Sequence, residues 1–189
     1  MGNYQLIFCI GIWSIEVAMK VQQQIMSPQD IVILLKIITY NNQPWYQVPL
    51  ANQLFISQSE ISKSLVRSKY AGLLDADGKQ VFKLALLDFL QYGIRYVFPQ
   101  QPGVMVRGIP TAHSTKPLSE LIQSDEHYVW PSALGTMRGY SVVPLYKSVI
   151  KAVQHDAQLH ELLALVDVIR IGRAREVELA VDELKKRIL

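Results

Sequence analysis

QVPLANQLFISQSEISKSLVRSKYAGLL, running from Gln47 to Leu74, sets two helices against each other across a tight break. Leu50, Ala51 and Leu54 give a short first helix one apolar face, and Ala51 is small enough for a second helix to cross closely. Phe55-Ile56 is the connection, with Ile56 as its core anchor. Ser57 and Glu60 make the S-x-x-E capping box that opens the next helix. At about 100° per residue, Ile61, Leu65, Ser68 and Gly72 fall on one side of it. Ser59, Lys63, Val66 and Tyr70 fall on the other, with Ser62 and Arg67 on the flanks. Ala71-Gly72 ends the helix as a glycine C-terminus does.

Small polar and basic side chains on the outward face of such a helix suit a DNA major groove. Gln58 and Ser59, in the first turn, are the expected base-edge readers, because glutamine pairs bidentately with adenine and serine is permissive. Lys63 is expected on guanine or phosphate, and Val66 against a thymine methyl. Arg67, Lys69 and Tyr70 are expected on phosphates, which fix register without reading sequence. Ser62 completes the surface on the helix itself. Downstream, Asp77-Gly78 between short apolar segments signals a hairpin, whose cations are Lys79 and Lys83, with Lys79 counted among the DNA contacts.

The segment Ser27 to Leu84 resembles the winged helix-turn-helix of bacterial transcription regulators, MarR-like in type. The matching positions are Leu50-Ala51, Leu54, Ile56-Ser57, Ile61-Ser62, Leu65 and Ala71-Gly72-Leu73-Leu74. Pro49 departs from the polar residue usual at the start of the second helix, and Ser68 departs from a usual apolar one, which predicts loose packing there. Arg107-Gly108-Ile109-Pro110, Val129-Trp130-Pro131, Arg138-Gly139-Tyr140 and Ile171-Gly172-Arg173 extend a second resemblance from Gln47 to the C-terminus. It is to a bacterial helix-turn-helix family, some of whose members accompany nucleotidyltransferase-type toxins. That resemblance implies an antitoxin-like repressor.

Around this motif the chain reads as α+β and mainly α: a winged helix-turn-helix over 27–98, then a mainly helical region with a few short strands over 99–189. Ser27-Pro28-Gln29-Asp30 starts a helix whose continuation to Tyr40 is apolar on nearly every side, so it must be buried on more than one face. Asn41-Asn42-Gln43-Pro44 breaks it. A helix is predicted over 84–96 and short strands at 104–106, 128–130 and 140–143. A short helix is expected over 117–122, and further helices from Pro144 to about Gln154, from Asp156 onward, and from Ala174 to Ile188. Residues 1–26 read as an N-terminal extension. Either they form an added amphipathic helix or they lie upstream of a true start at Met26, and the second fits the helix signal at Ser27 better.

Composition bounds the rest. The 189 residues are half apolar and 19% charged, enough for a sizeable core and far from a disordered composition. Lys plus Arg exceed Asp plus Glu by 19 to 16, too small an excess to imply nucleic acid by itself. One cysteine, Cys9, argues for a reducing, cytoplasmic setting. The run from Tyr4 to Met19 is broken by Glu16 and is short for a bilayer span, so no membrane partner is expected. His155 and His160 miss the i, i+4 spacing of a helical metal pair, so no metal is expected. No nucleophile elbow, P-loop or dinucleotide fingerprint occurs, which predicts no enzyme and no cofactor. The expected partner is double-stranded DNA, bound by a homodimer. The alternative is a protein-interaction module whose C-terminal region blocks a toxin.

Overall fold

The computed structural model describes residues 25–189. The extension expected over 1–26 lies, but for its last two residues, outside them. The fold is α+β, mostly helix with one small three-stranded sheet.

Helix α1 (Pro28–Thr39) starts where Ser27-Pro28 predicts, and the Asp30 carboxylate accepts the Ser27 N–H at 2.8 Å. Every residue from Gln29 to Ile38 is buried. The reason is position: the helix over 58–70 packs against α1 on one flank and the long helix over 157–171 on the other. Asn41 and Asn42, with φ 50° and 63°, then turn the chain through the left-handed region that asparagine tolerates better than most residues. Helix α2 (Gln47–Leu54) begins two residues before Pro49, which therefore occupies the first turn, where no intrahelical donor is needed. Phe55 makes the break at φ 54°, Ile56 is buried, and helix α3 (Gln58–Tyr70) follows.

The expected hairpin is reduced to a turn. Only Leu74 and Val81 form a bridge, supported by Phe82 N–H to Leu73 O at 3.0 Å. The turn is held instead from inside, because Asp75 Oδ1 accepts the N–H groups of Lys79 (2.6 Å) and Gln80 (2.9 Å). Gly78, at φ 71°, supplies the left-handed residue. The helix expected over 84–96 runs as α4 (Lys83–Asp88), a π-turn (Phe89–Gly93) and α5 (Ile94–Val97).

Strand β1 (Met105–Thr111) is longer than predicted and passes through Gly108 and Pro110. Its first half pairs antiparallel with β3 (Met137–Ser141) and its second half with β2 (Tyr128–Pro131). β2 and β3 pair parallel, which closes a miniature barrel. Closure demands glycine: a Cβ on Gly108 would lie 2.1 Å from Trp130 O, and one on Gly135 would lie 2.1 Å from the Gly108 backbone. A 3-10 turn (Leu118–Glu120) replaces the helix expected over 117–122. The helix expected from Pro144 forms only as α6 (Val149–Ala152) and a following 3-10 turn. Val143 O, which would accept the first helical N–H, accepts from Arg170 at 3.2 Å. Helices α7 (Ala157–Ile171) and α8 (Ala174–Ile188) stand where the sequence places them, α7 capped by Asp156 accepting Leu159 N–H at 2.9 Å.

One hydrophobic core runs through both the 27–98 and 99–189 segments. Polar ties accompany it. Lys36 on α1 donates to Asp156 at 2.6 Å. Asp167 on α7, fully buried, accepts from Thr111 Oγ1 (2.9 Å), Trp130 Nε1 (2.6 Å) and Arg170 (2.7 Å). Arg170 in turn donates to Phe98 O at 3.0 Å. Burial pushes the Asp167 carboxyl above its ordinary range, and Arg170 with the two neutral donors pulls it back. Among the described residues no helix is long and apolar enough to cross a membrane.

Candidate nucleic-acid interface

The sorting of α3 into an inner and an outer face follows its 3.6-residue period. Ile61, Ser64, Leu65 and Ser68 are buried, while Gln58, Ser59, Ser62, Lys63, Val66, Lys69 and Tyr70 are exposed. Ser57 Oγ accepts the Glu60 N–H at 3.2 Å, so the predicted cap fixes the direction of the first turn. Ser68 is indeed buried where an apolar residue is usual. Its hydroxyl and that of Ser64 have no partner among the described residues, which leaves two small, unsatisfied groups on the packed side of the helix.

Arg67 does not stand where the sequence predicts. Its guanidinium turns inward and forks onto Asp30, at 2.8 Å from Nε and 2.5 Å from the terminal nitrogen. The Asp30 side chain is wholly buried and that of Arg67 is 11% exposed. The carboxylate that closes the start of α1 is thus the partner of Arg67, and this hydrogen bond holds the guanidinium above its ordinary range. Engaged on a buried carboxylate, Arg67 does not present its guanidinium to a phosphate as the sequence predicts.

The remaining cations divide by neighbour. Lys63 donates to Glu60 at 3.1 Å, and Glu60 also accepts from Gln29. The Lys63 bond, then the Gln29 bond, holds Glu60 below the usual carboxylate range. Lys69 reaches the turn: a Cβ on Gly78 would fall 2.6 Å from its Cε and 2.9 Å from its ammonium. Lys79 lies with its ammonium 4.9 Å from the Trp45 ring centre and 5.8 Å from that of Tyr46. It also donates to Trp45 O at 3.4 Å, while Trp45 Nε1 donates to Lys79 O at 3.0 Å. The turn is therefore pinned to the loop before α2.

The structure brings together on one side of the molecule the exposed strip of α3, Lys69 and the turn that carries Lys79. A narrow cleft of about 130 Å³ lies between them, lined in part by Gln47, Ser62, Val66 and Asp77. Sequence reasoning missed Trp45 and Tyr46, which latch this turn. The available signal was an aromatic pair directly after the helix-breaking Asn41 to Pro44. Among the described residues no group of three or more histidine, cysteine or acidic side chains is placed to hold a metal ion. No family model matches this chain, and no curated protein and no solved structure matches it either.

Proposed function

We propose that this protein is a sequence-specific DNA-binding regulator, a repressor, that lays α3 in the major groove. α2 and α3 serve as the helix-turn-helix in this reading, and the 73–82 turn serves as a minimal wing. One observation carries it. Among the described residues the outer face of α3 is an uncovered strip of groove-compatible side chains, set by a capped start and by two helices behind it. Gln58 and Ser59 lead that strip as base readers. Lys63, Lys69 and Lys79 are the phosphate contacts, and Tyr70 stands beside Lys69 at 69% exposure.

Two protomers reading a palindromic operator would place their half-sites about 10 base pairs apart, or a multiple of that. The test is selection of bound sequences from a random duplex library by the full chain, followed by titration against salt. An enriched motif is expected. With three lysines per protomer at the backbone, log K should fall with log salt at roughly −0.9 for each neutralised phosphate, so near −3 per protomer. No enrichment, or affinity indifferent to salt, overturns the proposal and moves the protein-interaction alternative ahead.

A further inference from the structure

Behind the wing lies a second feature, a cavity of about 350 Å³ between the end of α1, the loop 41–46 and the segment 79–83. That volume is in the range of small-molecule sites, roughly 300–1,000 Å³. Its lining sorts into chemically distinct groups. Lys79 and Lys83 both line it, and among the described residues that line it none carries a carboxylate. Neither lysine belongs to an ion pair among the described residues. Trp45 and Tyr46 bring aromatic rings, and the Lys79 ammonium already rests over both. Asn42, Gln43 and Gln80 bring side-chain amides, while Ile37, Ile38 and Val81 make an apolar floor.

We propose that this cavity binds a 5′-mononucleotide unit, with its phosphate on Lys79 and Lys83 and its base against the exposed ring of Tyr46, Trp45 forming the buried wall behind. Each part of such a ligand answers one part of the lining. Two lysines on one lining can recognise a phosphate through charge-assisted hydrogen bonds. A base stacks on aromatic side chains whatever its identity, and the 68% exposure of Tyr46 leaves its ring open to one. Asparagine and glutamine amides match the donor and acceptor edges of a base. Inorganic phosphate would use the lysines alone, and a simple aromatic acid would leave the amides idle. The left-handed conformation of Asn42 is what turns this loop back over the end of α1. No α3 residue lines the site, but it shares Lys79 with the proposed DNA contacts, so nucleotide binding is measured without DNA present.

Calorimetric titration of the full chain with adenosine 5′-monophosphate tests this directly, with adenosine, ribose 5-phosphate, benzoate and inorganic phosphate as controls. The mononucleotide should bind at least about tenfold more tightly than each control. Lys83→Gln and Tyr46→Leu should each weaken it about tenfold, with circular dichroism and the thermal midpoint unchanged. Should either variant unfold, Asn42→Gly, which keeps the backbone conformation and removes an amide, serves in its place. A short single-stranded oligonucleotide distinguishes the sources of the unit. Binding far tighter than the monophosphate assigns the cavity to a strand, and equal binding assigns it to a free nucleotide. Phosphate or benzoate binding as tightly as the monophosphate would overturn the proposal. So would an affinity that none of the folded variants changes.

Discussion

Arg67 and Lys69 stand two positions apart on α3 and face opposite environments. Arg67 neutralises a carboxylate with no access to water, so Arg67→Ala leaves Asp30 buried and unpaired. Breaking a buried pair in this way costs about 3–5 kcal/mol, which urea unfolding should show as a large drop in midpoint. Lys69→Ala should leave stability within about 0.5 kcal/mol, as surface changes do. In DNA titration it should weaken all sequences alike and flatten the salt slope by about one unit. Gln58→Ala should act differently again. It should relax preference at one position of each half-site, a loss of roughly 1–3 kcal/mol of discrimination, with non-specific affinity unchanged. Parent and Gln58→Ala enriching identical motifs would remove Gln58 as a reader.

At the scale of elements, two glycines hold the chain in a shape that side chains resist. In the barrel, Gly108 and Gly135 sit back to back where β1 passes from β3 to β2. Gly108→Ala forces a carbon into the Trp130 carbonyl, and overpacking of this kind costs about 1–3 kcal/mol or more. The expected result is a lower thermal midpoint and loss of the near-ultraviolet signal of buried Trp130. The elements that sequence makes readable are those with local signals. Ser57 with Glu60, Asp156, and the apolar period from Ala174 to Ile188 each specify a helix within a few residues of itself. The barrel has no such local code, because β1 owes its length to partners 17 to 35 residues away. The stunted helix after Pro144 is likewise tied to a remote group, since an arginine from α7 donates to the Val143 carbonyl just before it. On the outer strip of α3, exposure follows from period alone. The inward turn of Arg67 does not, since its partner is remote in sequence.

Across the whole molecule, acid stability is set by opposing groups. Glu60 and Glu183 are held below their ordinary value of 4.5 and Asp75 below 3.8. The leading causes are the bonds from Lys63, Lys186 and the Gln80 N–H respectively. A carboxylate with a depressed folded value adds stability above its unfolded value and loses it as pH falls through the folded one. Asp167 runs the other way, because burial raises it. Its contribution is greatest in acid and declines as pH rises from 3.8 toward its folded value. Unfolding midpoints measured across a pH series should therefore fall below about pH 4.5. Glu183→Gln should make that fall shallower. A fall of equal steepness in parent and variant would show that Glu183 does not contribute.

Helix α1 is enclosed by the proposed reading unit on one flank and by α7 on the other, with no side left for water. Excising residues 27–98 would strip α7 away and lay bare a row of isoleucines and leucines, so the fragment should aggregate where the full chain stays monodisperse. A protein built on a shared spine of this kind cannot be assembled by shuffling interchangeable modules. If α3 is the reader proposed above, its recognition can drift only through point changes along the open strip of that helix, each accepted or rejected by the stability of the entire chain.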